Sequence, residues 1–409
     1  MCRPVDIMQQ KWLRHSMTSR RTPDSVIRTA ASPSVLFVDR QLDIGGIQRY
    51  LVDLARSLDC RKFSVSFATL YEGGELLDEL RRHGSGPAVG LTSARKRGRY
   101  DAISLWRLLR IVRSARPDIV HSSRPIINSM TLVAGKLSRA ITVWSIGNSN
   151  NRELPGYPIL NRLDFHIARA MSRFVDLAIF NSHAGRNYYL QTGFRFRRFA
   201  VIPTGVDVRR FAPLEDARRE LREQWSTASD TILVGMVARL DPIKDHMTFL
   251  QAASILSTQS PRWRFACIGG GDKKFVARLR EESGRLGLDR RVIWTGNVAE
   301  PVKYYSALDI LVSCSCAGEA GPYSIKEAMA CGVPCVVTPA GDSELIVQGT
   351  GIVVPARDPQ ALAAALGAMA ARLEGEGRQL RERARRRIVE NFSLEHSVAR
   401  TARELSALL

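Results

Sequence analysis

The stretch "SVLFVDRQLDIGGIQRYLVDLARSL" (34–58) changes hydrophobic period part-way along. Residues 34–39 are β-branched and apolar, and read as a short buried strand. Gly45 and Gly46 follow, a pair more often read as a plain turn than as a place where backbone comes close to a ligand at a helix start. Ile47, Leu51, Leu54, Ala55 and Leu58 then recur at the three-to-four spacing of an amphipathic helix. Strand, glycine turn and helix form the repeating unit of a parallel α/β sheet. "KFSVSFATL" (62–70) supplies a second strand, and "DAISLWRLLRIVRSARPDIVHSS" (101–123) a helix and then a strand. "ITVWSIGN" (141–148) and "VDLAIFNS" (175–182) continue the series. Each ends in polar residues, Asn148 among them, where loops rim a binding site.

Near Pro203 the pattern resets. "AVIPTGVDVRRFAP" is rich in turn formers, and "TILVGMVAR" (231–239) opens a second alternating set that runs to "DILVSCS" (309–315). The expected fold class is therefore α/β, with two Rossmann-like doubly wound domains facing a central cleft. Their expected bounds are 34–203 and 204–385, with C-terminal helices over 386–409. At 409 residues the chain is too long for one core and suits two domains. Residues 1–33 lack the apolar stretch of a signal peptide and read as a disordered basic tail.

Composition narrows the function classes. No apolar run approaches the roughly 20 residues of a spanning helix. The formal charge is +20, which suits nucleic acid, anionic lipid or a phosphorylated substrate. Zinc-finger spacing, an aromatic-basic RNA signature and heptads after a basic region are all missing from the sequence, so nucleic acid is not expected. Two basic clusters stand out, "SARKRGRY" (93–100) and "FRFRRF" (194–199). A solvated face is the commoner reading of such runs, and an anionic membrane surface is the functional alternative. Seven cysteines without a paired C-x-x-C suit free thiols in a reducing cytosol.

The chemistry gathers in "GEAGPYSIKEAMACGVPCVV" (318–337). A strand leads into a loop, and a helix begins after Pro322, which suits a first helical turn. The N–H groups of Tyr323, Ser324 and Ile325 then make an anion site at the helix start. Glu327 lies about one turn inside, where a carboxylate can accept bonds from a ribose diol. Glu319 sits on the loop side, within reach of hydroxyls attached to the phosphate. The competing reading is a solvated loop glutamate and an ordinary helix glutamate. In "VARLDPIKDH" (237–246), Arg239 and Lys244 at a strand end suit a pyrophosphate, and equally suit two solvent-facing cations. His121, at a strand end, either polarises a substrate hydroxyl or packs in the core.

In combination these residues resemble the family 4 glycosyltransferases, retaining enzymes of the GT-B type. The likeness runs in order through "GGIQRYLVDLARSL", "RPDIVHSS", "FNSHAGRNYYLQTGF", "VIPTGVDVRRFAP", "VARLDPIKDH", "GEAGPYSIKEAMACGVPCVVTPAGDSELI" and "GIVVPARDP". The resemblance implies that Arg239 and Lys244 hold a donor diphosphate, Glu327 the ribose and Glu319 the transferred sugar. It places Gly46 near the diphosphate or the acceptor, and Gly45, His121 and Asn148 on the acceptor side, with Glu319 and His121 closest to the chemistry. It implies a final helix crossing back to the first domain, and no metal or other cofactor. The sequence departs from the family pattern at Ser123, where a second histidine is frequent, at Thr204 in place of asparagine, and in the "EAGP" turn.

The reading that follows is a retaining transferase moving a sugar from a nucleoside-diphosphate sugar to a glycan or lipid-linked acceptor. It would be cytoplasmic, or peripheral on the inner face of a membrane. The alternatives are a sugar-nucleotide epimerase or hydrolase of the same architecture, and a catalytically silent sugar-nucleotide-binding subunit.

Overall fold

The computed structural model describes residues 32–42, 46–76, 80, 90–94, 102–149 and 159–409. Gly45, the basic run 95–99 and all but the last two residues of the expected tail lie outside them. Among the described residues two parallel sheets account for every strand. The first comprises β1 (Ser34–Asp39), β2 (Ser64–Thr69), β3 (Gly90–Ser93), β4 (Ile119–Ser123), β5 (Ile141–Ile146), β6 (Leu177–Phe180) and β7 (Phe199–Val201), in the order β3-β2-β1-β4-β5-β6-β7. Its helices are α1 (Gly46–Ser57), α2 (Ala102–Ala115), α3 (Pro125–Leu137), α4 (Ile159–Met171) and α5 (His183–Gln191).

The second sheet comprises β8 (Ile232–Val237), β9 (Trp263–Ile268), β10 (Val292–Gly296), β11 (Ile310–Ser313), β12 (Cys335–Val337) and β13 (Ile352–Val353), in the order β10-β9-β8-β11-β12-β13. Around it lie α6 (Glu215–Gln224), α7 (His246–Gln259), α8 (Lys273–Arg285), α9 (Pro301–Ala307), α10 (Tyr323–Ala330) and α11 (Ser343–Val347). The chain ends in the long α12 (Pro359–Asn391), interrupted by non-helical dihedrals at Glu376, and α13 (Leu394–Ser406). Both sheets have the doubly wound order, so each reverses direction once, between β1 and β4 and between β8 and β11. The crevice at such a reversal, beyond the carboxyl ends of the strands, is where open α/β sheets bind ligands.

Helices cover both faces of the central strands, and β4 is buried at all five positions although its last three are His121, Ser122 and Ser123. α13 leaves the second sheet and packs on the first. Val398 and Leu405 join the core around Phe37, Leu51 and Phe67, and the Tyr50 hydroxyl lies 2.9 Å from Ser397 Oγ on α13.

At the end of the second sheet where β11 begins, a single carboxylate organises three elements. Asp309, just before β11, accepts from Arg218 Nη2 at 2.6 Å and Arg381 Nη2 at 3.1 Å on one oxygen. The other takes Arg222 Nη1 at 3.0 Å and the Leu233 N–H at 2.9 Å. Burial alone would raise its pKa, yet Arg218 and Arg222 outweigh burial and hold the carboxyl below its ordinary value. Asp309→Ala leaves three guanidinium groups without their counter-charge, and breaking a buried pair costs about 3–5 kcal/mol. Urea unfolding followed by circular dichroism is expected to show a loss of that size, with the m-value unchanged.

Candidate functional site

Two loops at the reversal of the second sheet build the site. After β8, Asp241 caps a single 3-10 turn (Pro242–Lys244), accepting from the Ile243 N–H at 3.0 Å. Asp245 follows at φ 53°, a left-handed conformation that asparagine and aspartate tolerate best, and caps α7 by accepting from the Thr248 N–H at 3.3 Å, with Thr248 Oγ1 donating to its other oxygen at 2.7 Å. This tight sequence of caps fixes the direction in which Lys244 leaves the loop. Its amine donates to Glu319 Oε1, which also accepts from Ser315 Oγ at 2.8 Å. The Cys316 N–H donates to the Ile243 carbonyl at 3.0 Å, so the two loops are joined by backbone as well as by charge.

Arg239 is different. Its side chain is 69 % exposed and pairs with Asp241 at 2.8 Å, on the same loop as Lys244 but beside the Glu319 cluster and not within it. Pro322 occupies the N-cap of α10, with φ −56° and ψ 125°, and not the first helical turn that the sequence suggests. Proline's fixed φ fits both positions, so local sequence does not separate them. Tyr323, Ser324 and Ile325 are consequently the first three helical residues, the ones whose N–H groups lack an intrahelical acceptor.

Glu327 stands one turn on, and its Oε2 accepts from the Tyr305 hydroxyl at 2.7 Å. Burial raises its pKa above the usual glutamate value, while Tyr305 and the neighbouring Lys326 pull it back. Lys326 is itself fully buried and donates to the Thr204 carbonyl at 2.7 Å and to Thr204 Oγ1 at 2.9 Å. Desolvation pushes its amine down to about 7, against the favourable charges of Glu327 and Asp342. The amine also stands 4.5 Å over the centre of the Tyr323 ring. Tyr305, Ser315 and Lys326 carried no signal in the sequence as site residues. Lys326 was readable only as the neighbour of Glu327, and Thr204 only as a departure in the inter-sheet segment.

On the first sheet the outcome is mixed. His121 is 1 % exposed, tilted against Phe37 at 5.0 Å, with Nε2 2.7 Å from Ser145 Oγ. Burial drives its pKa down to about 3. The structure therefore does not bring His121 to the cleft surface. It is an inward residue of a central strand buried on both faces, which corrects the catalytic expectation. Gly46 begins α1, and Gly45 lies outside the described residues. Asn148 sits beyond β5, its side-chain oxygen accepting from the Tyr189 hydroxyl at 2.9 Å. The next residue, Ser149, donates to the Glu319 backbone carbonyl, so this loop touches the second sheet's site directly. Among the described residues no group of three His, Cys, Asp or Glu side chains is placed to hold a metal ion.

Comparison with known proteins places the two halves separately. Residues 44–210 match the model of "Glycosyltransferase Family 4", and residues 231–372 that of "Glycosyl transferases group 1". The chain is 24 % identical over 323 residues to the putative glycosyltransferase EpsF of Bacillus subtilis, covering 78 % of this chain and 82 % of that one. It is 25 % identical over 350 residues to a GDP-mannose-dependent alpha-(1-6)-phosphatidylinositol monomannoside mannosyltransferase of Mycolicibacterium smegmatis, covering 79 % and 85 %. The crystal structure of Anabaena HepE in complex with UDP superposes with a TM-score of 0.79 at 21 % identity, over 91 % of this chain and all of that one.

The Lys326 geometry has a measurable consequence. Between about pH 7 and the ordinary lysine value of 10.5, the unfolded chain holds a proton on residue 326 that the folded chain has released. The unfolded state then binds more protons, so stability rises with pH across that window. Urea unfolding of the parent and Lys326→Met at several pH values is expected to show the parent gaining on the variant from pH 7 to 10. Below pH 7 the difference between them should be flat.

Proposed function

The chain belongs to the family 4, or group 1, glycosyltransferases, and from that premise we propose that it transfers a sugar with retention from a nucleoside-diphosphate sugar to a glycan or lipid-linked acceptor. The observation that carries this reading is the pairing of Lys244 with Glu319 at the reversal of the second sheet, one turn from Glu327. Solved structures of Anabaena HepE with UDP and with UDP-glucose support a donor of this chemical class. Lys244, Arg239 and the first-turn N–H groups of α10 would receive the diphosphate, and the Glu327 carboxylate, aligned by Tyr305, the ribose. Glu319 would exchange its bond to Lys244 for the hydroxyls of the transferred sugar.

Chemistry of this kind breaks the bond from C1 of the sugar to the diphosphate oxygen and forms one from C1 to the acceptor oxygen. The acceptor's hydroxyl proton passes to the departing diphosphate on the same face. Fixed positive charge at the diphosphate stabilises that departure, as dipoles and cations aimed at developing charge do generally. We propose that this charge serves in place of a metal. With His121 buried, the acceptor side falls to the loops after β1, β4 and β5.

Thermal unfolding against UDP-, GDP-, ADP- and CMP-sugars tests the reading. A ligand at 100 times its Kd adds about 2.7 kcal/mol to the folded state. One nucleotide class is expected to raise the midpoint of the parent with or without EDTA, and to fail with Glu327→Ala and Lys244→Ala. Stabilisation retained in both variants would overturn the assignment.

The acceptor proposal includes a membrane surface. No helix among the described residues is long and apolar enough to cross one. α2 nevertheless turns Ile103 and Trp106 outward, 58 % and 55 % exposed, with Arg110 stacked 4.7 Å over the Trp106 ring and Arg113 exposed beside them. Leu163 and Ile167 are exposed on α4, which packs across α3 from α2, and Arg162 and Arg169 of the same helix are exposed as well. Exposed aromatics among arginines suit the headgroup layer of an anionic bilayer. Vesicle sedimentation is expected to give binding to phosphatidylglycerol vesicles, weakened by salt and by Trp106→Ala with Ile103→Ala, and little to neutral vesicles. Equal binding to both vesicle types would remove this surface from the proposal.

A further inference from the structure

We infer that Asp342 and Ser149 form a clasp between the two sheets' halves that positions Glu319; the inference rests on the glycosyltransferase reading above. Asp342 precedes α11 but makes no cap bond to its own helix. Both its carboxylate oxygens cross to the first half instead, accepting from the His183 N–H at 2.7 Å and the Ala184 N–H at 2.8 Å. These are the first two residues of α5, and Ser182 Oγ takes the third N–H, from Gly185, at 2.9 Å. Asp342 is only 8 % exposed. A charge at a helix start, bonded twice, is among the stronger polar contacts a protein makes.

The loop that carries Asp342 lies directly on the loop that carries Glu319. The Asp342 N–H donates to the Ala320 carbonyl at 2.7 Å. Gly341, at φ 64°, leaves no space: a Cβ there would stand 2.3 Å from the Ala320 oxygen and 2.9 Å from the Glu319 carbonyl carbon. From the other side, Ser149 Oγ donates to the Glu319 carbonyl. The peptide before Ala320 is thus held by Ser149 only while the halves are together, and the peptide after it is bonded within the second half to Asp342, whose carboxylate ties that loop to α5 of the first. The Glu319 carboxylate, with Lys244 and Ser315, hangs from that backbone.

The clasp is reversible by its chemistry. When the halves part, the Asp342 carboxylate and the α5 N–H groups exchange each other for water, and such exchanges are close to balanced. Asp342 therefore acts as a positioning residue. It biases closure and sets where Glu319 stands, without touching the nucleotide sites at Lys244 and Glu327.

The experiment uses the full chain with Asp342→Ala and Asp342→Asn, the latter able to accept one bond in place of two. Affinity is measured by titration with UDP and GDP, turnover with the sugar nucleotide that stabilises the parent, and amide hydrogen exchange at His183 and Ala184. In Asp342→Ala, nucleotide affinity is expected to stay within about twofold. Exchange at the two amides should rise about tenfold or more, and turnover should fall about 10- to 100-fold, the range typical of displaced catalytic groups. Asp342→Asn should lie between. Turnover within twofold of the parent, or affinity falling in step with turnover, would overturn the clasp. If neither nucleotide binds the parent, the functional reading fails separately, and unchanged exchange at α5 in Asp342→Ala then overturns the clasp on its own.

Discussion

Lys244 and Glu319 come from loops on adjacent strands of the second sheet, and the site depends on their meeting. The meeting follows from topology. The strand order reverses between β8 and β11, so the loops leaving them diverge to opposite faces of the sheet and open a crevice between. Backbone bonding between Cys316 and Ile243 keeps that crevice narrow at its base. A cation and an anion placed there satisfy one another.

The neighbouring pair follows a different rule. Glu327 and Lys326 are adjacent in sequence, yet burial moves both away from their charged forms, raising the acid and lowering the base. Helix geometry explains the separation, since consecutive residues point about 100° apart and do not face one another. Glu327 turns to Tyr305, and Lys326 turns to Thr204 in the segment joining the two sheets. One helix turn thus faces Tyr305 of α9 on one side and the inter-sheet connection on the other.

The central strands and long helices were legible because their periods are strong: residues 34–39 as strand and 47–58 as helix fall within one residue of β1 and α1. β3, β7, β12 and β13 were missed, being strands of two to four residues, too short to show a period. The spacing of Glu319 and Glu327 was readable since loop and helix are continuous in sequence. The partners of those residues were not. Tyr305, Ser149 and Asp342 reach the site from separate elements, and only tertiary packing joins them. His121 shows the reverse failure. Along a strand buried on both faces, alternation does not distinguish a residue at the cleft from one beneath it.

The net charge of +20 was the broadest signal in the sequence and the least specific. In the second half much of it is consumed internally. Arg218 caps the end of α9 through the carbonyls of Ser306, Ala307 and Leu308. Arg385 bonds the carbonyls of Val208 and Phe211, and Arg387 that of Ile346. Guanidinium groups suit this work, since several donors in one plane satisfy several carbonyls at once. On the outward faces of α2 and α4 the arginines are exposed beside Ile103, Trp106, Leu163 and Ile167. Exposed arginines remain on the second half too, Arg219 and Arg378 among them, so what marks α2 and α4 is the exposed apolar side chains beside the charge. Asp342, held by the first two N–H groups of α5, lies where the two halves meet.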